Sequence, residues 1–181
     1  MHEFHFHEDD VGQIQVMPMA NWNYCEREFA ALIEHDKNHA APNGAGWTKM
    51  YKFSNDAESL KDTMSLRDLK ITEARFIELL SPHCKLFERL VSPLSEYDEE
   101  LGIRSIGFGP AKYAGIIADM DGELVASIWC MLPGRRQEDN VKFADMLTAL
   151  SRDHHLLLVD WAQLRLVDLR LRRALESYLR D

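Results

Sequence analysis

The first residues of the chain alternate. In His2-Glu3-Phe4-His5-Phe6-His7 the two phenylalanines fall on one side and Glu3, His5 and His7 on the other, which is the period of a half-buried strand. Glu8, Asp9, Asp10 and Gly12 read as a turn into a second alternating run, with Ile14 and Val16 inward and Gln13 and Gln15 outward. The pattern therefore predicts an N-terminal hairpin. The period then lengthens. Cys25, Phe29, Leu32 and Ile33 recur at helical spacing, Asn23 and Glu26 stand at the spacing of a capping box, and the Pro- and Gly-bearing run at 40–46 stops the helix near His39. Trp47, Tyr51 and Phe53 share one side of a predicted third strand over 47–53.

From 56 to 101 the texture is helical, interrupted at Ser65, Thr72, Pro82 and Pro93, with apolar stripes at Phe76, Ile77 and Leu80 and at Leu86, Phe87, Leu90 and Val91. Residues 102–110 read as a loop or short strand. Two strands follow over 113–119 and 123–131 around Met120-Asp121-Gly122, since Asp-Gly between alternating runs is a strong hairpin signal. Phe143, Leu147 and Leu150 mark a helix, and 155–160 is an apolar run suited to a central strand. The 164–167 run can pair with it before Asp168 caps a last helix bearing Leu171, Ala174, Leu175 and Tyr178. Consecutive hairpins around helical insertions predict an α+β class, a mainly antiparallel sheet with helices on one face, in a single domain over 1–181.

Length and composition agree with this reading. The 181 residues are 46% hydrophobic and 28% charged, ordinary globular usage for one domain. No apolar run approaches the roughly 18 residues of a membrane helix, and the His- and acid-rich N-terminus is unlike a signal peptide. Cys25, Cys84 and Cys130 are odd in number and widely spaced, so neither a disulfide framework nor a metal knuckle is expected, and the location implied is a reducing cytoplasm. The net charge of −9 repels a phosphate backbone and argues against nucleic acid. It favours a basic protein as partner. Carboxylates concentrate in the run Glu96, Asp98, Glu99 and Glu100 and at the hairpin tip Asp119, Asp121 and Glu123, the expected partner-binding positions.

Chemistry has two candidate centres. Glu3, His5 and His7 leave one strand face two residues apart and could meet Zn²⁺ if another element closed the site, although a plain solvent face is the default. His35 and His39 stand at i and i+4, the spacing of zincin ligands, with Asp36 where those enzymes carry a glutamate base; the default is an ordinary helix end. Cys25 lies in the first helical turn but belongs to its apolar stripe. The Gly107-Phe108-Gly109-Pro110 segment lacks the helix that a phosphate loop requires, and reads as a shaped turn. The acidic tip lacks the later glycine and the twelfth-position glutamate of a calcium loop.

Gly107-Phe108-Gly109-Pro110, the hairpin after it, and the closing Leu156-Leu157-Leu158-Val159-Asp160-Trp161 strand with its helix make the chain similar to the small immunity proteins encoded beside bacterial polymorphic toxins. The resemblance implies binding and neutralisation of one cognate toxin, with no catalysis and no cofactor. The expectation is thus a non-enzymatic acidic binding protein, possible also as a homodimer. The alternative is a small metal-dependent hydrolase using the histidine and glutamate cluster with Zn²⁺.

Overall fold

Seven strands form one antiparallel sheet in the computed structural model of the protein, which describes residues 2–41, 49–54, 57–91, 104–134 and 136–180. The strands are β1 (Glu3–His5), β2 (Ile14–Pro18), β3 (Lys85–Leu86), β4 (Arg89–Val91), β5 (Arg104–Ala111), β6 (Ala114–Asp121), β7 (Leu124–Met131), β8 (Leu156–Asp160) and β9 (Arg165–Asp168). The helices are α1 (Trp22–His39), α2 (Ala57–Leu60), α3 (Glu73–Leu80), α4 (Gln137–Leu150) and α5 (Arg172–Tyr178). Sheet order is β3-β5-β6-β7-β2-β8-β9, and β1 pairs with β4 in a separate parallel ribbon. The class is α+β, as the hairpin pattern predicts. No helix among the described residues is long and apolar enough to cross a membrane.

The chain forms two compact units, residues 1–19 with 65–181, and residues 20–64. In the larger unit the helical face of the sheet offers Phe108, Ile116, Ile128, Leu156 and Leu158 to Phe76 and Leu80 of α3, Phe143 and Leu147 of α4 and Leu175 of α5. All are buried, and each large side chain so placed contributes about 1.5–3 kcal/mol. The opposite face carries a smaller cluster of Phe4, Phe87, Ile117 and Trp129. Glycines make room for it. A Cβ on Gly109 would stand 2.0 Å from the Ala114 carbonyl oxygen and 2.6 Å from Phe87 Cζ, and one on Gly115 would stand 2.8 Å from Phe87 Cε2. The Gly-Phe-Gly segment therefore lies within β5, the short strand that 102–110 allowed, and is not the turn its glycines suggested. There the register with β6 shifts between Phe108 and Ala111, and the bare backbone admits the Phe87 ring.

Four other expectations need correction. β1 and β2 do not form a hairpin: β2 lies between β7 and β8, and β1 takes β4 as its neighbour. Alternation assigns faces to a strand but names no partner. The helix over Leu86, Phe87, Leu90 and Val91 is absent, and β3 and β4 stand there; pairs of apolar residues four apart satisfy either period. Residues 49–54 are irregular instead of a strand, while Trp47 lies outside the described residues. Finally, the predicted caps are not used. Asn21, not Asn23, occupies the N-cap of α1, where its amide is turned to Met64, accepting from its N–H at 2.7 Å and donating to its carbonyl at 2.9 Å. Asp168 turns back to the Arg170 amide at 2.9 Å and leaves Leu171 at the N-cap of α5.

The smaller unit is built around α1. Glu28, only 3% exposed, accepts hydrogen bonds from the Tyr51 hydroxyl at 2.8 Å and the Ser54 amide at 3.2 Å. Tyr24 donates to the Ser54 carbonyl at 3.3 Å, and Arg27 to the Ser59 carbonyl at 3.1 Å. Side chains of one helix thus satisfy backbone groups of Ser54 in the irregular segment and of Ser59 in α2.

Candidate functional site

The acidic hairpin predicted from Asp121-Gly122 is formed by β6 and β7. Asp121 pairs with Leu124, so Gly122 and Glu123 are the two loop residues, and Gly122 adopts φ +62°, which glycine supplies at no steric cost. The carboxylates then diverge in their surroundings. Asp119 lies in register with Ser105 on β5 and Ser127 on β7. The Ser105 hydroxyl donates to Asp119 Oδ1 at 2.7 Å, and the Ser127 hydroxyl donates to Oδ2 at 2.5 Å. This half-buried carboxylate is held across three strands on the same face as Ile117 and Trp129. Asp121 is exposed and faces Arg67 at 3.1 Å. Glu123 is exposed at the tip, and its backbone carbonyl accepts from Glu73 N–H at 2.9 Å, which ties the turn to the start of α3. The second predicted acidic run, Glu96, Asp98, Glu99 and Glu100, lies outside the described residues.

Glu3 and His5 do meet, with Glu3 Oε2 3.2 Å from His5 Nε2. His7 does not join them as a third ligand. It lies beyond the end of β1, and its Nδ1 accepts the Asp9 amide at 3.3 Å while its own amide donates to Asp10 Oδ2 at 2.9 Å. Among the described residues no three His, Cys, Asp or Glu side chains gather to hold a metal ion. What the N-terminal histidines border instead is an open cleft of about 410 Å³, lined by His5, Phe6, His7, Asp10, Val91, Tyr113 and Met131. A second cleft of about 880 Å³ runs along the N-terminal part of α4 and the end of α5, past Pro133, Gln137, Asn140, Gln163, Glu176 and Arg180. Both escaped sequence reasoning because their walls come from four or more separate segments.

His35 and His39 stand side by side at the end of α1, their ring centroids 4.6 Å apart. The Tyr51 ring meets His35 edge-on at 5.4 Å. Burial is the main cause that lowers the proton affinity of His35, followed by the charge of His39. The thiols are the reverse of activated. Burial, then Glu28, pushes Cys25 up to about 12, and burial pushes Cys84 up to about 11 and raises Cys130 as well. Each stays a thiol at neutral pH, so the helix start does not make Cys25 a nucleophile.

Other histidine and tryptophan side chains have structural partners. His155 Nε2 lies 3.0 Å from Asp168 Oδ2, Trp161 Nε1 donates to Gln15 Oε1 at 3.0 Å, and Trp129 is buried in the smaller cluster. Compared with models of protein families, with curated proteins and with solved structures, the chain finds no match.

Proposed function

We propose that the chain is a non-enzymatic binding protein that engages a basic protein partner through the β6–β7 hairpin. The observation that carries this reading is the placement of its carboxylates: Asp121 and Glu123 stand exposed at a two-residue turn, with Asp119 held behind them by Ser105 and Ser127. Asp119, fixed before contact, loses little freedom on binding. A partner's lysine or arginine would compete with Arg67 for Asp121 and meet Glu123 directly. The net charge of −9 would hasten the encounter with any basic surface.

The resemblance to immunity proteins supplies the partner class, a bacterial toxin that the chain neutralises by covering its surface. Co-expression with the products of the adjacent genes, followed by size-exclusion chromatography, tests this. A stoichiometric complex with one basic product supports the reading, and failure to form a complex with any of them removes the immunity version.

A further inference from the structure

The last turns of α1 place two imidazoles on one side of the helix, since residues four apart are surface neighbours. The centroids of His35 and His39 lie 4.6 Å apart with ring planes inclined by 49°. Two imidazoles bound to one zinc ion through bonds of about 2.0–2.1 Å at a near-tetrahedral angle have centroids about 5 Å apart. The observed separation falls close to that of a chelating pair. Tyr51 fixes one ring from outside, meeting His35 edge-on at 77°, and Tyr51 is in turn anchored to Glu28 at 2.8 Å. A ring packed edge-on in this way limits the orientations open to the His35 imidazole.

We propose that His35 and His39 chelate one late first-row divalent cation, of the Zn²⁺, Ni²⁺ or Cu²⁺ kind, with water completing its coordination. Imidazole nitrogen suits these ions, whereas the harder Mg²⁺ and Ca²⁺ prefer carboxylate and carbonyl oxygen. A ligand must be the neutral imidazole, so uptake of the ion falls as pH drops and the imidazoles protonate. The ion would bridge α1 at i and i+4 and so brace the helix end against which Tyr51 rests. With no third protein ligand among the described residues, the site differs from the closed three-ligand centre of a hydrolase. The proposal is independent of the basic partner, and either can fail alone.

Tag-free protein titrated with Zn²⁺ by isothermal calorimetry tests it. Because His2, His5 and His7 also carry imidazoles, a His5→Ala/His7→Ala variant is the control. The expected result is one tight equivalent that persists in that control. Loss of an outer partner alone costs about 10- to 100-fold in metal affinity, so His35→Ala, His39→Ala and the polar variant His39→Gln should each weaken it by about tenfold or more. Thermal unfolding should shift upward with Zn²⁺ in the parent and not in His39→Gln. Parent protein that takes up no Zn²⁺, or a His39→Gln variant that binds it as tightly as the parent, overturns the proposal.

Discussion

Tyr178 donates a 2.7 Å hydrogen bond to Asp160 Oδ2, and the two side chains are 3% and 2% exposed. Asp160 Oδ1 accepts the Gln163 amide at 2.8 Å, and Arg165 lies over the Tyr178 ring at 4.9 Å. One buried carboxylate therefore joins the end of β8, the turn after it and α5. Tyr178→Phe leaves Asp160 with one donor fewer, and a hydrogen bond to a charged group contributes about 1.5–3 kcal/mol. Urea unfolding should show a loss of that size with an unchanged slope.

Alkaline pH acts on the same pair. Burial, then the Asp160 bond, raises the proton affinity of Tyr178 above its ordinary 10.0, and Tyr51 is pushed up to about 12 by burial and its bond to Glu28. The folded state therefore holds these phenolic protons after the unfolded chain has released them. Their contribution is complete below pH 10 and fades as pH rises beyond it. Stability measured across the alkaline range should fall, and Tyr51→Phe and Tyr178→Phe should each flatten the decline; an unchanged slope in both variants would contradict the assignment.

In the smaller unit, Glu28→Ala removes the acceptor of both Tyr51 and Ser54. Orphaning a buried donor costs about 1–3 kcal/mol. Amide hydrogen exchange should quicken across 49–54 while β6 and β7 keep their protection, since Glu28 holds both the Tyr51 hydroxyl and the Ser54 amide of that segment.

The glycine platform predicts a contrast between two identical substitutions. Gly109→Ala drives a methyl to 2.0 Å from the Ala114 carbonyl, whereas a Cβ on Gly134 meets nothing within 4 Å. Overpacking of this kind costs about 1–3 kcal/mol or more. Thermal unfolding followed by Trp129 fluorescence should drop sharply for Gly109→Ala and stay near the parent for Gly134→Ala.

Much of the framework was legible because some segments obey one period only. The β6–β7 hairpin, the largely apolar β8 and the buried stripe of α4 each announced their type, and Asp121-Gly122 marked the turn. Pairing between neighbouring strands was legible, as in β6–β7 and β8–β9, but pairing between distant segments was not. Nothing in Phe4 and Phe6 says that β1 will lie beside Arg89–Val91, and the four-residue spacing of Leu86 and Leu90 suits helix as well as strand. The candidate site divides the same way. The carboxylates of the tip were readable from local sequence, but the hold of Ser105 and Ser127 on Asp119 depends on register across strands 8 to 14 residues apart. Likewise the spacing of His35 and His39 was visible, while the Tyr51 ring beside them was not.

The central claim is that the hairpin carboxylates draw in a basic partner. It is tested most directly by stopped-flow association with the basic product that co-purifies with the chain, comparing the parent with Asp121→Asn/Glu123→Gln. Exposed charges at an interface act mainly on the association rate and its salt dependence, so the double variant should associate about three- to tenfold more slowly at low salt, with the difference shrinking as salt is added. Equal rates for parent and variant at low salt would contradict the account.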